Sequence, residues 1–314
     1  MNYGQLLLLI LPVFAMIALG VVLRRVHWVE GAAETSLLRL VIYLCFPCLI
    51  FESVVGDAAL QSPGNLLLPP LAGALETLAG LGLAWLAGGW LGLSVGQGRR
   101  TFALSAGLGN YSYLALPILT GMFGPEIRGV LFVHNIGIEA VLWTVGVLVL
   151  SGLSLREGWH RLLNPMVLTL LAALALNLSG ASPHLPKMLM DFVHTLAACA
   201  IPLGLLLTGI NLANYLGEPR ALFDPRVTLG SAALRFLALP AGFILLARFL
   251  PCSTDLKRVI VVQGAMPAAV IPIILAQHYG GKPLTAVQIV LGTTALGVLV
   301  TPLWLRVGFA WAGI

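Results

Sequence analysis

Apolar stretches of about twenty residues recur along this chain with little between them, and each is long enough to cross roughly 30 Å of hydrocarbon as a helix. The first runs from Leu6 to Leu23, with no Lys or Arg ahead of it. No small-residue cleavage pattern follows, so it reads as a retained helix and not as a removable signal. A helix can cross a bilayer because its backbone hydrogen bonds are internal, and a chain that repeats this pattern has few other folds open to it. A transmembrane barrel would need alternation over about ten residues, whereas these runs are continuous. Composition closes the soluble routes: 59% of the residues are apolar and 9% charged, against roughly 45–50% and 25% in soluble domains. Seventeen Lys and Arg with twelve Asp and Glu cannot coat a globule of 314 residues. An ordinary soluble enzyme, a disordered chain and a nucleic-acid binder are excluded, whatever the pI of 9.3 suggests.

The length accommodates about ten spans. They read as 5–23, 35–55, 66–94, 101–124 and 127–151, then 165–179, 188–213, 227–250, 257–279 and 284–309. The chain therefore divides into a first five-helix repeat over 1–151, a polar cytoplasmic linker over 152–164 and a second repeat over 165–314. An odd number of spans in each half makes the second repeat inverted relative to the first. One offset of 155 residues places Pro47 on Pro202, Gly109 on Gly264, Pro117 on Pro272 and Gly137 on Gly292. Charge sets the orientation. With the N-terminus outside, the inner loops hold Arg24, Arg25, Arg99, Arg100, Arg156, Arg161, Arg220, Arg226 and Lys282, and the outer side holds Arg128, Lys187, Arg248, Lys257, Arg258 and Arg306. Nine against six favours both termini on the non-cytoplasmic side.

Two spans resist being continuous helices. The fourth contains GLGNYSYLALP, Gly107 to Pro117, and the ninth contains QGAMPAAVIP, Gln263 to Pro272. Gly favours unwinding and Pro removes a backbone donor. A kink explains one Pro; it explains less well two spans with a Gly eight residues before the matched Pro, plus Pro267 and the polar Asn110. Broken helices in corresponding spans point to a transporter's binding site at their crossing. The freed half-helix N-termini suit a carboxylate. The candidate contacts at the two breaks are Tyr111, Ser112, Met266 and Pro267, with backbone amides around 110–112 and 266–269 holding the anion. No full charge lies within either interrupted stretch.

Charges inside the membrane need a reason. Glu76 in span 3 and Glu139 in span 5 are the deepest acids and the candidates for coupling or gating. The alternative makes each a buried acid paired with Arg39, Arg235 or a backbone group. Asn135 and Glu139 share a helix face at i,i+4. Arg235 in span 8 reads as snorkelling or pairing more readily than as a substrate contact, and Asn211 as an interhelical hydrogen bond. Cys45 and Cys48 flank Pro47 without the βαβ context of a redox pair, and read with Cys199 and Cys252 as packing residues. No nucleotide loop, hydrolase or metalloprotease motif is present, so neither an enzymatic activity nor a metal or cofactor site is expected.

The chain resembles the auxin efflux carrier family of membrane transporters, whose bacterial members include malate and malonate permeases. The resemblance rests on LPVFAMIALGVVLRR, LVIYLCFPCLIFESV, GNYSYLALPILTGMFG, NPMVLTLLAALALNLSG, LLLTGINLA and AMPAAVIPIILAQHYGG. It implies an all-α protein of ten helices in two inverted repeats with helices 4 and 9 broken and crossed. It further implies elevator-like transport of small organic anions across the cell membrane, a homodimer, a binding site near Pro117 and Pro272, and a substrate contact for Asn110. Tyr111 and Ser112 stand where many relatives have smaller residues, so pocket size is this chain's own. Proton and sodium coupling are both open. The alternative function is a membrane receptor that binds a ligand without moving it, which would call for a signalling domain or a long inner tail.

Overall fold

A computed structural model of the protein describes residues 2–151, 165–216 and 222–314. The linker expected at 152–164, with Arg156 and Arg161, lies outside the described residues, as does Arg220. The helices in chain order are α1 (Tyr3–Arg25), α2 (Gly31–Val54), α3 (Pro63–Trp90), α4 (Arg99–Gly107), α5 (Ala115–Phe123) and α6 (Pro125–Ser151). There follow α7 (Pro165–Leu178), α8 (Lys187–Ala213), α9 (Pro225–Phe249), α10 (Thr254–Ala265), α11 (Ile271–His278) and α12 (Pro283–Ala312). The protein is thus the all-helical polytopic membrane protein that the sequence predicts. Seven of these helices are each long and apolar enough to cross a bilayer: α1, α2, α3, α6, α8, α9 and α12. The shorter apolar α7 and the pairs α4/α5 and α10/α11 occupy the places of the other three expected spans.

Local chemistry explains the ends and irregularities. Asn2 caps α1 through a reciprocal pair, its Oδ1 accepting from the Gln5 amide at 2.8 Å while Gln5 Oε1 accepts from the Asn2 amide at 2.9 Å. Pro47 and Pro240 each follow a π-helical turn, at Val41–Cys45 in α2 and Leu234–Ala238 in α9. The extra residue in the turn absorbs the missing donor and the ring's clash with the preceding carbonyl. Pro202, the offset partner of Pro47, sits inside α8 without such a turn.

Gly lets helices meet backbone to backbone. A Cβ on Gly209 of α8 would come 1.9 Å from the Ile17 carbonyl oxygen of α1, and one on Gly137 of α6 would come 1.8 Å from the Pro70 carbonyl oxygen of α3. These contacts fix the scaffold around the broken helices. The outward faces carry exposed Leu8, Leu67, Phe192 and Leu237, the apolar surface that lipid covers.

Among the described residues, hydrogen bonds tie the loops and helix ends together in two groups. In one, Arg24 Nε donates to Asn214 Oδ1 at 2.7 Å and the Lys282 amide to Thr101 Oγ1 at 2.9 Å. In the other, Asn177 Nδ2 donates to the Asp57 carbonyl at 2.8 Å and Arg248 Nη1 to the Trp311 carbonyl at 2.6 Å.

Candidate functional site

The two broken helices cross through their unwound segments. Leu108 leaves α4 and Met266 leaves α10 in extended conformations, the latter because a residue before Pro is pushed out of the helical region. The two strands then pair antiparallel at Gly109 and Ala268. The Asn110 amide donates to the Pro267 carbonyl at 2.8 Å, and the Ala269 amide to the Leu108 carbonyl at 3.0 Å. Asn110 Oδ1 accepts from the Leu114 amide at 3.3 Å, immediately before α5. Pro117 and Pro272 lie in the first turns of α5 and α11, where an absent N–H costs nothing. The break in the ninth span therefore belongs to Pro267: Gly264, matched by offset to Gly109, is still helical, whereas Gly109 lies in the unwound strand.

This pairing takes up part of the expected amide cradle. Of the amides at 110–112 and 266–269, those of Asn110 and Ala269 serve the bridge. Tyr111 donates to the Gly109 carbonyl at 2.9 Å, Met266 to the Gln263 carbonyl at 3.3 Å, and Ala268 to Thr293 Oγ1 at 3.1 Å. Pro267 has none to give, which leaves Ser112.

A cavity of ≈ 170 Å³ opens against the starts of α5 and α11. Asn110, Tyr111 and Ser112 line it, with Glu139, Trp143 and the rings of Phe46 and Tyr113. Met266 and Pro267 are buried in the crossing itself. Glu139 is held on both oxygens: Tyr111 Oη donates to Oε1 at 2.5 Å and Trp143 Nε1 to Oε2 at 2.6 Å. Asn135, one turn earlier on the same face, donates through Nδ2 to the Tyr111 carbonyl and to Ser112 Oγ, both at 3.4 Å. Gln263 Nε2 reaches the same carbonyl at 3.1 Å and Asn135 Oδ1 at 3.3 Å.

The other face of the crossing holds the second candidate acid. Glu76 and His134 are buried, with Glu76 Oε2 3.3 Å from His134 Nε2, a close contact without hydrogen-bond geometry. The pairing with Arg39 or Arg235 considered from sequence is not made. Arg235 is 1% exposed and does not snorkel. The π-turn of α9 aims it at the crossing, where Nε and Nη2 donate to the Met266 carbonyl at 3.1 and 2.6 Å and Nη1 to the Gly107 carbonyl at 3.4 Å. A full charge therefore touches a site that looks uncharged in sequence.

A second cavity of ≈ 100 Å³ lies beyond Tyr113 and is lined by Glu34, Thr208 and Asn211. The Tyr113 ring separates the two, lying edge-on to Phe46 at 5.2 Å and so close to Gly204 that a Cβ there would meet its Cε1 at 2.2 Å. Asn211 Nδ2 donates to Glu34 Oε1 at 3.2 Å, the interhelical bond expected of it. Cys45, Cys48, Cys199 and Cys252 are free thiols. Sequence reasoning passed over Gln263, Trp143, Tyr113 and Thr293. Gln263 and Tyr113 lie within the two interrupted stretches, and Trp143 and Thr293 in the spans that follow them; their signal was polarity and aromaticity in otherwise apolar surroundings.

A family profile described as Membrane transport protein matches the chain over residues 6–158 and 152–305. Among curated proteins, an uncharacterized transporter of Methanothermobacter thermautotrophicus is 26% identical over 94% of this chain and 96% of its own length. An uncharacterized transporter of Methanocaldococcus jannaschii is 23% identical over 85% of this chain and 87% of its own length.

Proposed function

The chain belongs to the membrane transport protein family, that of the auxin efflux carriers, and from that premise we propose that it is a secondary transporter of small organic anions working by an elevator-like movement. The observation that carries this reading is the crossing of α4/α5 with α10/α11 beside a cavity that Glu139 enters. The starts of α5 and α11 face that cavity, each with a partial positive charge of about one half. A carboxylate bound there meets Ser112 N–H and the Asn110 amide group, and its apolar body meets Phe46, Tyr113 and Trp143. Glu139 stands in the same cavity, so a carboxylate enters favourably when Glu139 carries a proton. This makes Glu139 the coupling residue and leaves Glu76 a role behind the crossing.

The inverted repeat is supported by equivalent packing. α1 lies on α8 as α7 lies on α2, and α3 lies on α6 as α9 lies on α12. We place the protein in the cell membrane with the Arg24 and Lys282 end inside, assembled as a homodimer, and assign it transport without catalysis.

Purified protein in liposomes, loaded with radiolabelled mono- and dicarboxylates under imposed pH and potential gradients, tests the reading. Absence of movement under every gradient, with a soluble partner activated instead, would favour the receptor alternative. One observation favours a different substrate: the cavity holds one carboxylate, several aromatic rings and no Lys or Arg among its described lining residues, surroundings that suit an ammonium group. Competition by amines and not by carboxylates would select it.

A further inference from the structure

Broken helices in membrane transporters leave carbonyls without partners, and the C-terminal ends of half-helices at such crossings are where coupling cations are held. Here α4 and α10 both end at the crossing, bringing two partial negative charges of about one half each to one place. The groups that meet them belong to the protein. Arg235 donates to the carbonyls of Met266 and Gly107, Thr301 Oγ1 to that of Ala265 at 3.0 Å, and the crossing strands fill those of Leu108 and Pro267. Arg235 makes no direct ion pair with an acid among the described residues; its bonds go to main-chain carbonyls. Glu76 faces the same small cavity of ≈ 20 Å³ without coming into ion-pair contact. Gly109 makes room for this arrangement, since a Cβ there would lie 2.5 Å from Arg235 Nη2. One fixed positive charge against two half-charges leaves the helix ends nothing for a monovalent cation to neutralise, and the Glu76 carboxyl in the same cavity has His134 beside it at 3.3 Å.

We propose that the Arg235 guanidinium permanently occupies the place of a coupling cation at the crossing, so that the protein works without sodium. The inference deepens the transporter reading by assigning its ion coupling, but the structural part stands on the crossing alone. Its test needs no substrate. Thermal unfolding of the detergent-purified full chain is followed in sodium chloride and in choline chloride at equal ionic strength, for wild type, R235Q and R235K. The wild type and R235K are expected to unfold at the same temperature in both salts. R235Q is expected to unfold earlier in choline and to regain roughly 5 °C in sodium. A purely structural arginine would give a variant indifferent to which cation is present. Sodium-specific stabilisation of the wild type overturns the proposal, and so does an R235Q protein that unfolds identically in both salts. If R235Q does not fold, the decision passes to wild type and R235K: stabilisation of either by sodium overturns the proposal, and indifference of both supports it. Failure of carboxylate uptake in liposomes would remove the transport reading and leave these unfolding results untouched.

Discussion

Replacing Glu139 by Gln separates charge from packing at the cavity. The two oxygens of Glu139 accept from Tyr111 Oη and Trp143 Nε1. The indole can only donate, so the glutamine carbonyl takes its bond; the Tyr111 hydroxyl can reverse and accept from the new amide. The shape of the site is kept while one negative charge disappears. A carboxylate resting in a cavity of ≈ 170 Å³ would lie about 5 Å from Glu139, where two like charges at an effective dielectric of about 20 repel by about 3 kcal/mol. That is roughly a hundredfold in affinity. In the wild type the repulsion vanishes when Glu139 binds a proton, so anion affinity falls by up to about tenfold per pH unit as Glu139 ionises and levels off once the hundredfold is lost. E139Q is expected to bind monocarboxylates roughly a hundredfold more tightly than wild type at a pH where Glu139 is ionised, and to lose the pH dependence. In liposomes it should equilibrate the anion without accumulating it against a pH gradient. Binding is read from quenching of tryptophan fluorescence and accumulation from radiolabel uptake. An E139Q protein with the wild-type pH profile, or with weaker anion binding, would refute the reasoning; loss of all binding with retained fold would favour the ammonium-bearing substrate.

Three further perturbations have outcomes fixed by the geometry. Asn177 joins α7 to the turn after α2 by accepting from the Gly56 amide at 3.1 Å and donating to the Asp57 carbonyl, so N177A should cost about 2–4 kcal/mol and lower the unfolding temperature by several degrees. Burial pushes the Asp57 carboxyl above its ordinary range, partly offset by the Ala59 amide it caps. Its folded state thus favours the protonated form, and its contribution to stability is fully present below the unfolded value and lost as pH rises through the folded one; D57N, which keeps the cap, should flatten that part of the stability–pH curve. Y113A removes the ring between the two cavities and should raise uptake of bulky carboxylates relative to small ones, measured by competition.

The breaks were legible because Gly and Pro act on the backbone locally: GLGNYSYLALP unwinds around Gly109, and AMPAAVIP at Pro267. The matched Gly137 and Gly292 were also legible, and both sit at close approaches, against α3 and against Thr228 of α9. What could not be read is tertiary. The crossing strands bond to each other, and no spacing rule shows that this removes the amides otherwise free for an anion. Arg235 looked able to reach an interface, but the π-turn at Leu234–Ala238 shifts the helical register and turns it inward. Glu76 found its neighbour in His134, two spans away, where the charge inventory suggested an arginine.

Four helix ends meet at this crossing, and their sorting constrains the stoichiometry of transport. The two C-terminal ends face Arg235, and the two N-terminal ends face the cavity holding Glu139. Each set of about one unit of helix-end charge is therefore opposed by one side chain of the other sign. A monocarboxylate replacing the charge of Glu139 arrives with one proton, so the solute and its proton together are neutral. The charges of Arg235 and the helix ends move out and back in a full cycle and cancel. Monocarboxylate uptake should therefore be unchanged by a potassium-diffusion potential imposed with valinomycin, whereas a dicarboxylate taken up with one proton carries one negative charge and should be accelerated by an inside-positive potential. One elementary charge across 100 mV is worth about 2.3 kcal/mol, roughly a fiftyfold shift in the accumulation ratio, large enough to measure in liposomes. Potential-driven accumulation of a monocarboxylate would mean that its charge moves uncompensated, and that Glu139 is not the residue carrying the proton.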